Sequence, residues 1–393
     1  MSHVHICLVS DQTIPNILGI YHFKPDTVFF ITTKEMEKRE KTTAIVETLK
    51  GMGLNFEGRY KKIIVAEDSI LDCHRKIDES VQDVQDSEFS VNLTNGTKIM
   101  SIAAYDYFKD YVSKMIYIPI NKNEFISPFP KKAHTKPETL DLRLMVNEYL
   151  AAYGLNVSNH KKLKRYGDEA LERKDLSRWI ASNYSKVKNL LVVLGGALRN
   201  HRDDSKDYML KIDFNGATPS DKELIQRLGM SYSDDTISKL MTRSEIRYIT
   251  GGWLEEFCFC ELHHYLNNGI DDIKTGLKLK NRKGNENEFD VMFTMDNALY
   301  FVECKTLEQQ NLDYKDILYK IGALQQDFGL RVNSFWVTTS SGIMKNDELK
   351  PAVEARAAQF NTVIVPPKDV PDFGKIVAKK LKLENHNNIK IEQ

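Results

Sequence analysis

The sequence predicts an α/β protein of two or three domains, and three observations carry that prediction. Short strand-forming runs alternate with helical ones up to about residue 120, and a helix, a three-stranded meander and further helix–strand alternation begin at Gly251. The third is size: 393 residues with 41% hydrophobic content can bury more than one core.

The N-terminal runs "HVHICLV", "DTVFFIT", "KKIIVA", "EFSVNL" and "KMIYIPI" read as strands, separated by helical sequence such as "TTAIVETLKGMG" and "TKIMSIAAYDYF". That repeat implies a mostly parallel sheet covered by helices. The Pro- and Lys-rich "SPFPKKAHTKPET" reads as a linker, which places a first domain at 1–130. A mixed connecting segment follows over 131–250. In it "LDLRLMVNEYLAAYGL" and "DLSRWIASNYSKVKNLLVVL" have helical spacing, and "RNHRDDSKD" is a polar loop. The last domain, 251–393, opens with the helix "GGWLEEFCFCELHHYL". It continues as three antiparallel strands over "GLKLKNRKGNENEFDVMFTMDNALYFVECKT", turning at "RKGN" and "MDN". Then come a helix "DILYKIGALQQDFG", a strand "SFWVTTS", a helix "ELKPAVEARAAQF" and the run "TVIVPP".

Composition narrows the function. Lys plus Arg and Asp plus Glu number 55 each, so only local clustering of charge argues for nucleic acid. The N-terminus lacks a basic leader, the longest apolar run "LLVVLGGAL" is far short of a membrane span, and five scattered cysteines suit a reducing compartment. A cytoplasmic protein with no membrane partner is the expectation. Cys258 and Cys260 sit among aromatic residues, which favours a packed helix over a ligand pair.

Chemistry concentrates in "NEFDVMFTMDNALYFVECKT". Residues two apart share a strand face, so Glu303 and Lys305 point together, and Asp290 on the preceding strand can join them. Two converging carboxylates suit a hard divalent cation, Mg²⁺ or Mn²⁺, and Glu255 or Glu256 of the upstream helix can supply a further acid. A lysine beside a metal-bound water orients the nucleophile or stabilises charge, which describes phosphodiester hydrolysis. Glu288 can add to the cluster, although a glutamate flanking a turn is usually only solvated. Lys278, Lys280 and Arg282 share one strand face that suits a phosphate backbone and serves equally to protect an edge. Trp253, Phe257 and Phe259 read as core.

In the first domain, ligands of a parallel sheet sit beyond the strand carboxyl ends, here "SDQTIPN" and "NLTNGTKIM". Thr94, Gly96 and Thr97 precede a helix whose free N–H groups attract anions, and Lys98 adds charge. A plain capped helix is the simpler reading of that segment alone.

Two resemblances meet in this chain. "NEFD" followed by "YFVECKT", with "GGWLEEF" upstream, is similar to the PD-(D/E)xK (restriction-endonuclease-like) nucleases, with Phe289 standing where the motif name has proline. "LVSDQTIPN" and "NLTNGTK" resemble the CARF domain, a Rossmann-like sensor of cyclic oligoadenylates in type III CRISPR systems. The resemblance implies that Asp290, Glu303 and Lys305 are catalytic with Glu255 as the helix glutamate, and that Asp290, Glu303 and Glu255 hold the metal. It further implies a homodimer whose sensor loops, Ser10, Asp11, Gln12 and Thr13 with Thr94, Asn95, Gly96, Thr97 and Lys98, bind the activator. Thr32 and Thr33 are weaker candidates for that pocket. A two-fold pocket suits an even-membered ring, and the short loops favour cyclic tetra-adenylate. The expected function is a ligand-activated endonuclease of antiviral defence, with DNA and RNA both open as substrate. The alternatives are a ligand-controlled DNA-binding transcription regulator and a ligand-independent restriction or repair nuclease.

Overall fold

The computed structural model describes residues 1–119, 122–129, 136–280, 284, 286–306, 314–329 and 332–383. The five N-terminal strands form as expected: His3–Leu8, Thr27–Thr32, Tyr60–Ile64, Glu88–Asn92 and Ser113–Tyr117, all paired in parallel. Their spatial order is third, second, first, fourth, fifth. The chain therefore reverses direction across the sheet between the first and fourth strands. Beyond their ends lies the crevice where such sheets bind ligands. One face packs on helices Ile70–Val81 and Lys98–Phe108, the other on Ile14–Phe23 and Lys41–Gly51.

The expected linker is partly sheet. Glu124–Phe129 adds antiparallel to Ser113–Tyr117, and Glu138–Thr139 pairs with it in turn. Residues 130–135 lie outside the described residues. Of the helix expected over 140–155, only Val146–Ala152 forms, and Leu140 and Leu144 are core residues without helical backbone. The long helix Lys174–Leu198 covers its expected run. The segment after it contains an unforeseen three-stranded antiparallel sheet, Tyr208–Asp213, Ser231–Ser233 and Thr236–Met241, with helix Pro219–Arg227.

In the C-terminal part, strands Asp272–Lys280, Glu286–Met295 and Ala298–Lys305 make the meander, and Asn333–Thr338 and Thr362–Val365 extend it in parallel. Asp296 and Asn297 form the two-residue hairpin turn, both with positive φ (50° and 56°), which these residue types tolerate. The short strand Asn156–Val157 completes the far edge. The apolar residues of this sheet divide between two cores. One contains Cys258, Val302 and Cys304 under helices Trp253–His263 and Lys174–Leu198. The other holds Phe289, Phe301 and Trp336 and runs without a break into Cys7 and Phe30 of the N-terminal sheet. The N-terminal and C-terminal sheets thus share one apolar core.

Candidate active site and sensor loops

The site begins with a break in a strand pair. Ile273, Val291 and Phe293 face one core, whereas Leu277, Leu279 and Phe289 face the other, so both strands switch faces at Gly276 and Asp290. Gly276 has φ of +64°, and a Cβ there would lie 3.2 Å from the Tyr166 ring, so both the backbone and the space call for glycine. Thr275 Oγ1 donates to the Asp290 carbonyl at 2.9 Å across the irregularity. On its other side the ladder to Ala298–Lys305 runs only as far as Val291↔Val302. The Asp290 carboxylate then takes the Cys304 N–H at 2.6 Å, so a side chain satisfies the backbone donor where the strands part.

Glu303 and Lys305 project into that notch. Glu303 is 1% exposed, and its Oε1 lies 2.8 Å from Lys305 Nζ. A second lysine, Lys320 on helix Tyr314–Asp327, reaches the same oxygen at 3.1 Å. Lys320 was not legible as a site residue, because fifteen positions and an intervening segment separate it from Lys305.

The adjacent acids of helix Trp253–His263 diverge. A short π-helical turn, Tyr248–Gly252, precedes this helix, and Gly251 (φ +139°) bends the backbone where a Cβ would approach Thr306 Oγ1 to 3.1 Å. Glu256 turns away from the notch into a bidentate pair with Arg173, at 2.5 and 2.9 Å. Glu255 faces the site: burial, then repulsion from Glu288, pushes its carboxyl up to about 7, while Lys305 and Arg202 pull the other way. Burial, then Glu255 and Glu303, raises Asp290 well above the usual carboxylate range. For Lys305 burial favours the neutral form, but Glu303 and Asp290 outweigh it and hold the ammonium protonated. Arg202, from the loop expected to be merely polar, is a second residue that sequence reasoning missed. Lys278 is paired across the strands with Glu288 at 3.4 Å, Lys280 is exposed, and Arg282 lies outside the described residues. Trp253, Phe257 and Phe259 are core, as expected.

The electrostatics fit a hard cation, since burial and neighbouring carboxylates push the Glu255 and Asp290 carboxyls up and these groups offer oxygen. Among the described residues, no three His, Cys, Asp or Glu side chains are gathered closely enough to form a closed coordination shell.

At the other end, the two sensor loops follow paired strands and touch. Asn95 Nδ2 donates to the Gln12 carbonyl at 2.8 Å. Asp11 pairs with Arg39 at 2.7 Å and Lys41 at 3.6 Å. Ser10 receives the Gln12 N–H at 3.2 Å, and Thr13 is buried with its hydroxyl on the Ala152 carbonyl. Thr94 braces Ile118 N, Gly96 takes φ +77° against Leu8, and Thr97 caps helix Lys98–Phe108. Lys98 is exposed at the first position of that helix. Thr32 bonds to Glu37, and Thr33 caps helix Lys34–Lys38. Thr13 and Asn95 therefore hold the loops, while Asp11, Thr97 and Lys98 present the exposed surface.

Comparison with known families assigns the two ends of the chain to domains. Residues 4–149 match the model of the Card1 CARF domain, and residues 242–383 match the Card1-like endonuclease domain. The chain is a CARF-domain nuclease. Among solved structures, protein VC1899 from Vibrio cholerae has the same fold along its length, with a TM-score of 0.79 and 17% identity over 97% of this chain and 98% of that one. Can2 from Sulfobacillus thermosulfidooxidans, solved in complex with cyclic tetra-adenylate, superposes with a TM-score of 0.74 at 20% identity, over 94% and 98%. A type III CRISPR defence DNA nuclease activated by cyclic oligoadenylate matches with a TM-score of 0.50 at 15% identity, over 91% of this chain and 52% of the other. No curated protein matches significantly by sequence. In this CARF nuclease the endonuclease match contains Glu255, Asp290, Glu303, Lys305 and Lys320, and the CARF match contains both sensor loops. Among the described residues, no helix is long and apolar enough to cross a membrane.

Proposed function

We propose that this CARF nuclease is a cyclic oligoadenylate-activated, metal-dependent endonuclease of type III CRISPR defence, with a PD-(D/E)xK-type site. The observation that carries the reading is the notch at Asp290, where Glu303, Lys305 and Glu255 meet inside the family's endonuclease domain. Asp290 and Glu303 are the side chains to hold Mg²⁺ or Mn²⁺, with Glu255 beside them. Such an ion, when bound, supplies Lewis acidity toward a phosphoryl oxygen and lowers the pKa of a water. Lys305, kept protonated by its acidic neighbours, places positive charge where the attacked phosphate becomes more negative. The ladder ends beside the notch, where Lys305 is partly exposed and open to a phosphodiester backbone.

At the sensor, Lys98 and the first turn of helix Lys98–Phe108 suit the phosphates of a cyclic oligoadenylate. The complex of Can2 with cyclic tetra-adenylate supports the ring size. A ring with a two-fold axis is matched best by two copies of the loops, so the active species is a cytoplasmic homodimer joined through its sensor domains. The decisive assay is cleavage of DNA and RNA substrates with Mn²⁺, with and without cyclic tetra-adenylate. Ring-dependent cleavage that chelation abolishes, and that Asp290→Ala, Glu303→Ala and Lys305→Ala each lower by roughly 10²-fold or more, is expected. Undiminished cleavage in excess chelator, or full activity of Asp290→Ala, overturns the assignment.

A further inference from the structure

A ligand at the N-terminal loops can act on a distant notch only through an element with two arrangements that both sites bias. Among the described residues, one helix together with the turn that follows it touches both. Helix Tyr314–Asp327 places Lys320 on Glu303, and the residues just after it reach the sensor. Gly329 has φ of +102° and lies so close to the sensor loop that a Cβ would stand 2.5 Å from Tyr153 Oη and 2.9 Å from Gln12 Oε1. Those two atoms are themselves bonded, Tyr153 donating to Gln12 at 3.2 Å. Its neighbour Phe328 accepts a hydrogen bond from Tyr149 at 3.3 Å through its carbonyl. The Phe328 ring packs edge-on against Phe289, 5.4 Å away, and Phe289 immediately precedes Asp290.

We propose that the Gln12–Tyr153–Gly329 contact is the joint through which the sensor loop sets the catalytic carboxylates, with helix Tyr314–Asp327 as the lever. The inference rests on the functional reading above and adds its route. Gln12 belongs to one ligand loop and its carbonyl is held by Asn95 of the other, so closing the loops on a ring moves Gln12 with them. Gly329 has no side chain to yield, so displacement of the Gln12–Tyr153 pair passes to backbone and thence to the helix. Movement of the helix shifts Lys320 on Glu303 and Phe328 under the strand of Asp290. A small cleft bordered by Gln12, Tyr149, Tyr153 and the hairpin tip Asp296–Asn297 adjoins the joint.

The test is Tyr153→Phe in the full chain, which removes one hydroxyl and touches neither the notch nor the exposed sensor surface. Calorimetry gives its affinity for cyclic tetra-adenylate, and cleavage with and without saturating ring gives its activation ratio. The expected result is affinity within about threefold of the parent and an activation ratio at least about tenfold lower, since allosteric couplings typically span about 5–150-fold. Gly329→Ala should lower the ratio further, and Tyr153→Phe decides alone if that variant does not fold. Basal and stimulated cleavage falling together, with the ratio kept at the parent's value, shows a merely structural role and overturns the joint. A parent that binds the ring without being activated overturns the functional reading and the joint with it, so the two failures are distinguishable.

Discussion

Two consecutive glutamates with opposite roles make the sharpest prediction. Glu256 and Arg173 form a bidentate pair with little exposure, 14% and 24% of their side chains. Glu256→Ala strands a guanidinium that keeps Glu169 at 3.6 Å, Ser244 at 3.2 Å and the Tyr248 ring at 4.9 Å. Breaking a buried pair costs about 3–5 kcal/mol, and the surviving partners place this case at the lower end, about 3 kcal/mol. At about 2–4 °C per kcal/mol for a domain of this size, the thermal midpoint of the C-terminal part should fall by about 6–12 °C. Cleavage per folded molecule should change little. Glu255→Ala removes instead a carboxyl that burial and Glu288 already push up to about 7, so stability should hold or rise. Its cleavage should fall about 10–100-fold, as for residues that support metal ligands. Differential scanning fluorimetry and a single-turnover assay on both variants suffice. A Glu256→Ala protein of parental stability, or a Glu255→Ala protein of parental activity, refutes the assignment of the two faces.

Lys98→Ala should bind cyclic tetra-adenylate at least about tenfold more weakly by calorimetry while leaving cleavage at very high ring concentration near normal, since a single charge-assisted contact is worth about 1.5–3 kcal/mol. Lys320→Ala leaves Glu303 to Lys305 alone and should cut kcat about tenfold or more with little change in substrate KM. The pH dependence follows from Glu255, whose carboxyl is pushed up by burial and Glu288 from the ordinary 4.5 to about 7. A raised acid stabilises the fold fully below about 4.5 and loses that contribution as pH rises through about 7. Metal-free parent should therefore lose on the order of 3 kcal/mol relative to Glu255→Gln between pH 4.5 and 8, by urea titration. A constant difference across that range would show that Glu255 is not strained.

Sequence alone determined what local periodicity determines. Strand runs separated by helical ones fix the parallel N-terminal sheet, and the two-residue repeat of a strand is enough to put Glu303 and Lys305 side by side, as the 2.8 Å ion pair bears out. "MDN" marks the hairpin because Asp and Asn tolerate the positive φ that such a turn requires. Tertiary structure decided everything that depends on which surface covers which. Strict alternation puts Phe289 and Val291 on one face, yet the irregularity at Gly276 sends them into different cores and frees Asp290 to take the Cys304 N–H. Helical spacing cannot choose between Glu255 and Glu256; Arg173, from more than eighty residues upstream, chooses by claiming Glu256. Lys320, Arg202 and the strand Asn156–Val157 reach the C-terminal sheet or its site from segments with no local signal of belonging there. The physical reason is common to all of them: backbone and side-chain patterns encode the face a residue presents, whereas long-range packing selects the partner it meets, and that choice minimises buried unpaired charge over the whole fold.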